Sequence, residues 1–433
     1  MLHRDVVMDV LGAALAAVDP YRAVLSALRS ASVRDAQRVY VLGAGKAGAA
    51  MSRAAEEAFG ERIAGGLVLV KDGHGLADGD RLEHIELVEA SHPIPDSRGV
   101  EATGRLLEIA DSAREGDLVV CLISGGGSAL LTAPAEGISL EDVQATTQLL
   151  LRAGATINEL NAVRKHLSQV AGGLLAHRAA PAGVLSLILS DVTGSPLDVI
   201  ASGPTAPDPT TYADALAVLE RYALSDKLRP PVLERLRHGA EGALPDTPKP
   251  GDILFDSVSN HVIASNVIAV EAAASRASEM GFDTLIMSTY VEGEAREVGK
   301  VLAGVAKEVA AYGRPVRRPG CVLFGGETTV TVRGSGVGGR NTELALSAAI
   351  ELEGMGPDIV VASLATDGGD GTSPSAGAIA DGTAIARANA LGQDAQTALA
   401  NNDSYTFWAA LGDAIITGPT GTNVNDVMGV FVF

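Results

Sequence analysis

Short apolar runs rich in β-branched residues alternate along the chain with longer stretches in which apolar residues recur every three or four positions. The short runs predict buried strands, and the longer periodic stretches predict amphipathic helices. This alternation is typical of an α/β fold, in which parallel strands are joined by crossover helices. The predicted strands are 38–42, 66–70, 117–124, 183–190, 261–264, 284–288, 321–324, 358–364 and 429–433.

Helical periodicity is clearest directly after the first strand, over residues 49–59, and again around residue 160. In the second segment one apolar stripe repeats at helical spacing: Ile157, Leu160, Val163, Leu167, Val170 and Leu174. It predicts a helix through the whole segment. A polar set shares neighbouring turns of another face: Asn161, Arg164, Lys165 and Ser168. These side chains could clamp an anion, and a solvated polar face is the alternative interpretation.

The chain has 433 residues, which is more than the roughly 250–300 residues that one hydrophobic core usually supports, so two domains are expected. Prolines cluster between residues 228 and 251, where we expect the connection between the domains. The predicted domains are 1–245 and 246–433, both of the α/β class, the first with a mostly parallel sheet.

A formal charge of −20 argues against an extended nucleic-acid or anionic-membrane surface. Any anionic ligand must therefore be held by local cations and backbone N–H groups. No stretch of about 18 apolar residues suggests a membrane span, and Asp5 and Asp9 stand where a secretory signal would be apolar. Cys121 and Cys321 lie in apolar runs, as reduced buried thiols do. These features predict a cytoplasmic protein.

The first candidate phosphate loop follows strand 38–42 and contains Gly43, Gly45, Lys46 and Gly48. Glycines let backbone N–H groups and a helix N-terminus face an anion, and Lys46 adds a positive charge. The spacing also matches the dinucleotide-binding pattern G-x-G-x-x-G, a weak signal by itself. A tight turn with a solvated lysine is the alternative without function.

The second candidate loop follows strand 117–124 and consists of Ser124, Gly125, Gly126, Gly127 and Ser128. Three consecutive glycines can present successive N–H donors to phosphate oxygens, and the two serines add hydroxyl groups. Glycines are costly to order, so a ligand is a good reason for a triplet.

Two further segments carry candidate binding groups. His92 begins the proline-restricted segment 92–96 and could bind substrate or carry a proton, although a buried, merely hydrogen-bonded histidine is at least as good an explanation. Arg340 and Asn341 follow two glycines and open the helical run 344–352. An arginine at such a helix start can fork onto a carboxylate or phosphate, or simply cap the helix.

Single carboxylates follow several of the predicted strands, among them Asp191, Glu327 and Asp367. Mg²⁺ takes one or two carboxylates together with phosphate oxygens and water, so these residues are the candidate metal ligands. Asx turns explain each of them individually just as well.

Six motifs in this order resemble the class II glycerate 2-kinases. They are Gly43–Ala47, His92–Asp96, Ile123–Ser128, the segment Asn161–Gly173, Gly338–Glu343 and Gly418–Asp426. The resemblance covers nearly the whole chain, including a C-terminal MOFRL region at about 318–433. It implies a Rossmann-like three-layer first domain, a MOFRL-type second domain and an active site in the cleft between them.

The resemblance also implies ATP-dependent phosphorylation of D-glycerate to 2-phosphoglycerate, with ATP and Mg²⁺ or another divalent cation required, and Lys46 and Arg340 as catalytic residues. We predict that Lys46 stabilises the transferring phosphoryl group, that loop 124–128 cradles phosphate and that Arg340 orients the glycerate carboxylate. Asp191 and His92 are alternative acceptors for the proton of the 2-hydroxyl group. No nucleic-acid or membrane partner is expected, and a homodimer is a candidate assembly.

A nicotinamide-dependent hydroxypyruvate reductase is the main alternative, because of the glycine pattern around Gly45 and because members of this family have carried that name. Asp72 would then bind the ribose hydroxyls, at the end of the strand after the loop. A non-catalytic organic-acid binding protein is a third interpretation, and Lys46 together with the carboxylates argues against it.

Overall fold

The computed structural model describes residues 3–30, 36–76 and 79–433. They form two compact units. The N-terminal unit is Pro20–Ile263, and the C-terminal unit joins the residues up to Asp19 to Ala264–Phe433. The first helix, α1 (His3–Ala17), therefore belongs to the C-terminal unit, where it packs on the helix Asn266–Glu279.

The N-terminal unit is built on a six-stranded sheet in the order β3-β2-β1-β4-β5-β6. The four neighbouring pairs from β3 to β5, namely β3–β2, β2–β1, β1–β4 and β4–β5, are all parallel. Its strands are β1 (Val39–Ala44), β2 (Ile63–Lys71), β3 (Glu86–Ala90), β4 (Leu118–Ile123), β5 (Gly183–Leu189) and β6 (Val258–Ala264). Its helices are α2 (Pro20–Ser30), α3 (Gly48–Phe59), α4 (Ser97–Asp111), α5 (Gly127–Leu130), α6 (Leu140–Arg152), α7 (Ile157–His166), α8 (Leu174–Ala179), α9 (Tyr212–Arg221) and α10 (Pro230–Ala240).

Helices cover both faces of this sheet, as the alternation of side chains along β2 shows. Leu67 and Leu69 share a core with Leu106 of α4 and Leu175 of α8. Val68 and Val70, which alternate with them, lie on the other side against Gly48 of α3. The predicted Rossmann-like three-layer arrangement is confirmed.

A separate small core holds the helices that follow the second glycine loop. Leu160 and Val163 of α7 pack with Tyr212 and Leu219 of α9 and with Leu236 of α10. This core lies apart from the sheet core, so α7 is supported on one side by other helices and presents its remaining face to the loops of the sheet.

The C-terminal unit contains a second six-stranded sheet, in the order β11-β10-β9-β12-β8-β7. Its strands are β7 (Asp283–Glu294), β8 (Gly320–Thr329), β9 (Gly356–Ala365), β10 (Gly377–Gly382), β11 (Ala414–Ile415) and β12 (Asp426–Val432). Its helices after α1 are α11 (Asn266–Glu279), α12 (Ala295–Tyr312), α13 (Arg340–Glu351), α14 (Ala384–Ala390), α15 (Ala395–Ala400) and α16 (Ser404–Leu411).

In this sheet the β7–β8 pair is parallel, and the other four pairs of neighbouring strands are antiparallel. The general expectation of parallel strands therefore holds for the first sheet and not for the second. The reason is the connectivity: β10 follows β9 without a crossover helix, and the last strand, β12, inserts between β8 and β9.

All nine predicted strands overlap observed strands, and three strands of the described residues were missed: β3, β10 and β11. β3 lies half exposed at the edge of its sheet, β10 is built mostly of Gly and Ala, and β11 has only two residues. None of these carries the β-branched apolar run on which the prediction depends.

The prediction of one continuous helix from Ile157 to Leu174 is wrong for the second half of that segment. α7 ends at His166, and α8 begins only at Leu174, after Gly172 and Gly173 adopt left-handed φ values of 61° and 83°. Leu167 and Val170 are buried as the apolar stripe requires, but in a turn. The stripe therefore identified the buried residues correctly and their backbone conformation incorrectly.

The compact units differ from the predicted domains 1–245 and 246–433 in two places. Helix α1 belongs to the C-terminal unit, and the N-terminal unit extends to Ile263. The proline-rich stretch 228–251 lies within the N-terminal unit, where it contains α10, and the chain changes unit only after Ile263. Prolines here begin a helix, since Pro230 and Pro231 occupy its first turn.

Two other sequence expectations concern the cysteines and the membrane. Cys121 and Cys321 are buried and form no disulfide, and burial raises the pKa of the Cys121 thiol to about 12. Among the described residues, no single helix is long and apolar enough to cross a membrane, and α1 and α2 reach that length and hydropathy only when taken together.

Candidate active site

The two predicted glycine loops lie side by side because they leave neighbouring parallel strands in register. Ala44 at the end of β1 pairs with Ile123 at the end of β4. The loops then bond directly: the N–H of Lys46 donates to the Gly125 carbonyl at 2.9 Å, and the N–H of Ala47 donates to Oγ of Ser124 at 3.1 Å. The position of Lys46 is thus set by backbone bonds to the second loop.

Each glycine of the second loop leaves room for another part of the site. A Cβ on Gly125 would collide with the carboxylate of Asp191, which follows β5. A Cβ on Gly126, whose φ is 88°, would lie 3.1 Å from the His92 ring and 3.7 Å from Cγ of Lys46. The fold therefore brings four predicted features together: Lys46, His92, Asp191 and the glycine triplet.

The surroundings of His92 favour the neutral form of its imidazole ring. Burial lowers its pKa below the ordinary value, and the nearby ammonium group of Lys46 lowers it further. A histidine that is neutral at physiological pH can accept a proton.

Asn161 and Arg164 of α7 reach the far end of the loop, at Ser128. Nη2 of Arg164 donates to the Ser128 carbonyl at 2.8 Å. Oγ of Ser128 lies 3.0 Å from Oγ of Ser202, which donates to Oδ1 of Asn161 at 3.1 Å. The predicted polar face of α7 thus divides: Asn161 and Arg164 hold the loop, whereas Lys165 forms ion pairs with Asp208 and Asp198.

Arg164, like Lys46, forms no ion pair with a carboxylate of the described residues. Burial lowers its pKa, yet a guanidinium stays protonated at neutral pH. No carboxylate lies within ion-pair distance of it in the described parts of the chain. A partly buried charge without a counterion carries a desolvation cost, which a ligand anion beside the glycine loop would offset.

Ser202 is a site residue that the sequence analysis missed. It is 3% exposed and has a φ of 61°, and its neighbour Ala201 has a φ of 50°, both in the left-handed region that non-glycine residues rarely adopt. Such strain concentrates at functional sites. A Cβ on Gly127 would lie 2.7 Å from the Ala201 methyl group, which explains why the loop needs glycine there.

The surroundings of Arg340 differ from those of Arg164. Nε and Nη2 of Arg340 donate to the two oxygens of Asp426 at 2.6 and 2.9 Å, and Nη1 lies 2.8 Å from Glu327. Burial raises the pKa of Asp426 to about 6, although its bonds to Arg340 lower it. The planar fork predicted for the glycerate carboxylate is thus occupied by a protein carboxylate in this structure.

Asn341, the second predicted residue of that motif, is buried in the start of α13. Its backbone N–H donates to Oδ1 of Asp370 at 2.9 Å, and its own Oδ1 accepts from Oγ of Ser363 at 2.5 Å. Asp370 also accepts from the N–H of Thr342 at 2.8 Å. The helix terminus predicted to attract a ligand anion is capped internally by this carboxylate.

The three candidate metal ligands have different surroundings. Asp191 borders the glycine loop, Glu327 contacts Arg340, and Oδ1 of Asp367 accepts from the N–H of Gly369 at 3.0 Å. Within residues 3–30, 36–76 and 79–433, no group of three or more His, Cys, Asp or Glu side chains is arranged to hold a metal ion. Of the three, Asp191 is the one whose carboxylate borders the glycine loop.

Known proteins and family models match this chain over nearly its full length. Residues 6–237 match the family model described as a domain of unknown function, DUF4147, and residues 320–426 match the MOFRL family. A D-glycerate 2-kinase from Thermotoga maritima is 43% identical over 99% of this chain and 98% of its own length. The chain belongs to the glycerate 2-kinase family.

Two further relatives of this glycerate 2-kinase family member are a solved structure and a protein with a different name. The crystal structure of a glycerate kinase from Thermotoga maritima superposes with a TM-score of 0.92 at 43% identity, covering 99% of both chains. A protein from Agrobacterium vitis, 42% identical over 99% of this chain and 94% of its own length, is provisionally named a hydroxypyruvate reductase. The family thus carries both names that the sequence analysis considered.

Asp72 is the residue that would bind the ribose hydroxyls of a nicotinamide cofactor in the reductase alternative. A dinucleotide site needs an acid at this position with oxygens available to the ribose hydroxyls. Both oxygens of Asp72 accept from Arg98, at 2.8 and 2.9 Å. The acid is therefore engaged by an arginine, which argues against the ribose-binding role of Asp72 that the reductase alternative requires.

Proposed function

We propose that this glycerate 2-kinase family member transfers the γ-phosphoryl group of ATP to the 2-hydroxyl of D-glycerate, giving 2-phosphoglycerate and ADP. The observation that carries this proposal is the convergence of a lysine, a glycine triplet and a partly buried arginine, without an ion pair among the described residues, near the carboxyl ends of β1 and β4. Phosphoryl transfer requires positioning and charge stabilisation rather than a covalent nucleophile, and these groups supply both.

In the proposed mechanism, the N–H groups of Gly125 and Gly126 and the hydroxyl of Ser124 bind phosphate oxygens, whereas the N–H of Gly127 donates to the Ser124 carbonyl at 3.2 Å and closes the turn. Lys46 carries its positive charge to the phosphoryl group in transfer, because its backbone is fixed to Gly125 and its stem passes Gly126. Charge on the phosphoryl oxygens is then stabilised without rearrangement of the protein. Ser128 and Ser202 keep the far end of the loop in place.

Arg164 is proposed to bind the carboxylate of D-glycerate. Its Nη2 is held on the Ser128 carbonyl, which leaves the other edge of the guanidinium for a planar anion. The earlier assignment of this role to Arg340 stays a prediction, and its engagement by Asp426 argues for Arg164.

Mg²⁺ would enter with the nucleotide, and Asp191 is the residue proposed to hold it. There the ion would neutralise negative charge on the nucleotide. Asp191 is proposed because its carboxylate borders Gly125 of the phosphate loop, whereas Glu327 contacts Arg340 and Asp367 accepts from the N–H of Gly369.

We expect turnover of D-glycerate to require ATP and a divalent cation and to yield the 2-phospho isomer. Phosphorus NMR of the product mixture distinguishes 2-phosphoglycerate from 3-phosphoglycerate, and EDTA should stop the reaction. Formation of the 3-phospho isomer alone would contradict the regiochemistry. Reduction of hydroxypyruvate by NADH, without any ATP-dependent reaction, would contradict the reaction class.

His92 is proposed to accept the proton of the 2-hydroxyl, so kcat/KM should fall as the imidazole becomes protonated. Because burial and Lys46 lower its pKa, the acidic limb of the pH profile is expected below about 6.5, the ordinary value for histidine. His92→Asn should remove this limb and lower kcat by roughly 10²-fold or more. His238→Asn, at an exposed position of α10, is the control. An unchanged acidic limb in His92→Asn would assign the base to Asp191.

A further inference from the structure

A cavity of about 560 Å³ opens in the N-terminal unit beside the helical core of α7, α9 and α10. It is lined by the end of α7, by α8 and by residues 245–254. Small-molecule sites usually enclose roughly 300–1,000 Å³. None of the lining residues belongs to the candidate active site, so the kinase reaction gives this cavity no role.

One part of the lining is a buried histidine, His166, whose ring is held by two neighbouring oxygen atoms. Nδ1 of the buried His166 ring lies 2.6 Å from the Ala162 carbonyl, and Nε2 lies 2.9 Å from Asp246. Burial raises the pKa of Asp246, but the ammonium group of Lys249 and the N–H of Thr247 bring it below its ordinary value. Both ring nitrogens thus lie beside oxygen atoms of the protein, which fixes the ring at the edge of the cavity.

Arg235 adds a charge that no acid compensates. Its Nε donates to the His166 carbonyl at 3.0 Å and its Nη2 to the Tyr212 hydroxyl at 3.3 Å, both uncharged acceptors. In the part of the chain that the structure describes, no carboxylate lies within ion-pair distance of Arg235. Two carboxylates line the cavity: Asp246 pairs with Lys249, and Asp252 accepts from the N–H of Lys249 at 2.6 Å. In a chain with 53 acidic residues and 33 basic ones, a half-buried arginine that faces a cavity and is not paired with either acid points to an anionic ligand.

Another part of the lining is apolar. Leu174, Pro248 and Leu254 contribute to it, and Ile253 is 85% exposed there although it is a large aliphatic side chain. A ligand with an apolar body would cover Ile253 and remove this surface from water.

We propose that this cavity binds a small organic anion with an apolar body, whose carboxylate or phosphate group meets Arg235 and whose body covers Ile253 and Leu254. The site is also coupled to the active site, because the last turn of α7 contributes His166 to the cavity and Arg164 to Ser128. The coupling rests on the proposed function, whereas the binding does not.

Isothermal titration of the full chain with phenyl phosphate tests the binding, with D-glycerate and ADP present at saturation to fill the active site. We expect one site, and at least about tenfold weaker binding in Arg235→Gln, which loses the charged donor. Arg237→Gln, two positions further along α10 and exposed, should bind like the native chain. Benzyl alcohol, which has the ring without the charge, should bind at least about tenfold more weakly than phenyl phosphate.

Ile253→Asp is the second variant, because its exposed position lets it fold while an acid repels the anion. It too should bind phenyl phosphate at least about tenfold more weakly. Phenylacetate binding more tightly than phenyl phosphate would assign a carboxylate ligand, and the reverse order a phosphate ligand. Absence of binding to the native chain, native affinity in both variants, or equal affinity for benzyl alcohol would overturn the proposal.

The coupling is tested by KM for D-glycerate with and without phenyl phosphate. We expect a change in the native chain that Ile253→Asp abolishes, since inhibition at the active site itself would persist in that variant. An unchanged KM at saturating phenyl phosphate would overturn the coupling. The titration does not depend on turnover, so failure of the kinase proposal and failure of the binding proposal are distinguishable.

Discussion

Replacing Lys46 with alanine should lower kcat by on the order of 10²-fold or more, because loss of a preorganised charge typically costs roughly 3 kcal/mol in the transition state. The backbone bond from Lys46 to Gly125 survives the substitution, so the loop should keep its conformation. Steady-state kinetics with D-glycerate and ATP measure the effect, and circular dichroism checks the fold.

Lys227→Ala is the matched control for Lys46→Ala. Lys227 is exposed in the turn before α10, so removing its charge should leave kcat unchanged. Lys46→Arg keeps the positive charge on a longer, planar group and should restore only part of the rate. A kcat near the native value in Lys46→Ala would mean that Lys46 is a solvated lysine in a tight βα turn, the alternative that the sequence left open.

Replacing Arg164 with glutamine should raise KM for D-glycerate by about 10- to 100-fold, since hydrogen bonds to charged groups contribute roughly 1.5–3 kcal/mol. KM for ATP should change much less, because the glycine loop and Lys46 hold the phosphates. Arg164→Lys should behave almost as poorly as Arg164→Gln, because lysine lacks the paired planar donors. Initial rates over a matrix of both substrate concentrations separate the two constants.

Two comparison variants make the Arg164 result specific. Arg152→Gln changes an exposed arginine at the end of α6 and should leave both constants unchanged. Arg340→Lys tests the competing assignment: if this variant, and not Arg164→Gln, raises KM for D-glycerate, the substrate carboxylate lies on Arg340. If Arg164→Gln raises KM for ATP alone, Arg164 contacts a nucleotide phosphate instead.

Much of the candidate site could be predicted from the sequence because its parts are local. A strand followed by glycines and a helix is legible over some ten residues, and it located both Lys46 and the loop 124–128. That the two loops meet follows from parallel strands that end at one edge of a sheet, and the register of Ala44 with Ile123 confirms it. His92 and Asp191 were singled out by position, and the fold places both against the glycines.

The sequence of this protein by itself determined its α/β class, nine of its strands, the loops that bear Lys46 and the glycine triplet, and its family. Only the tertiary structure decided which charges are neutralised: Arg340 pairs with Asp426, 86 positions further along the chain, whereas Arg164 donates to a carbonyl and pairs with no carboxylate of the described residues. It also decided that Ser202 joins Ser128 to Asn161, and that the chain turns after His166. Periodicity and turn chemistry act between near neighbours, while ion pairing and burial join residues that are distant in sequence, so no local pattern encodes them.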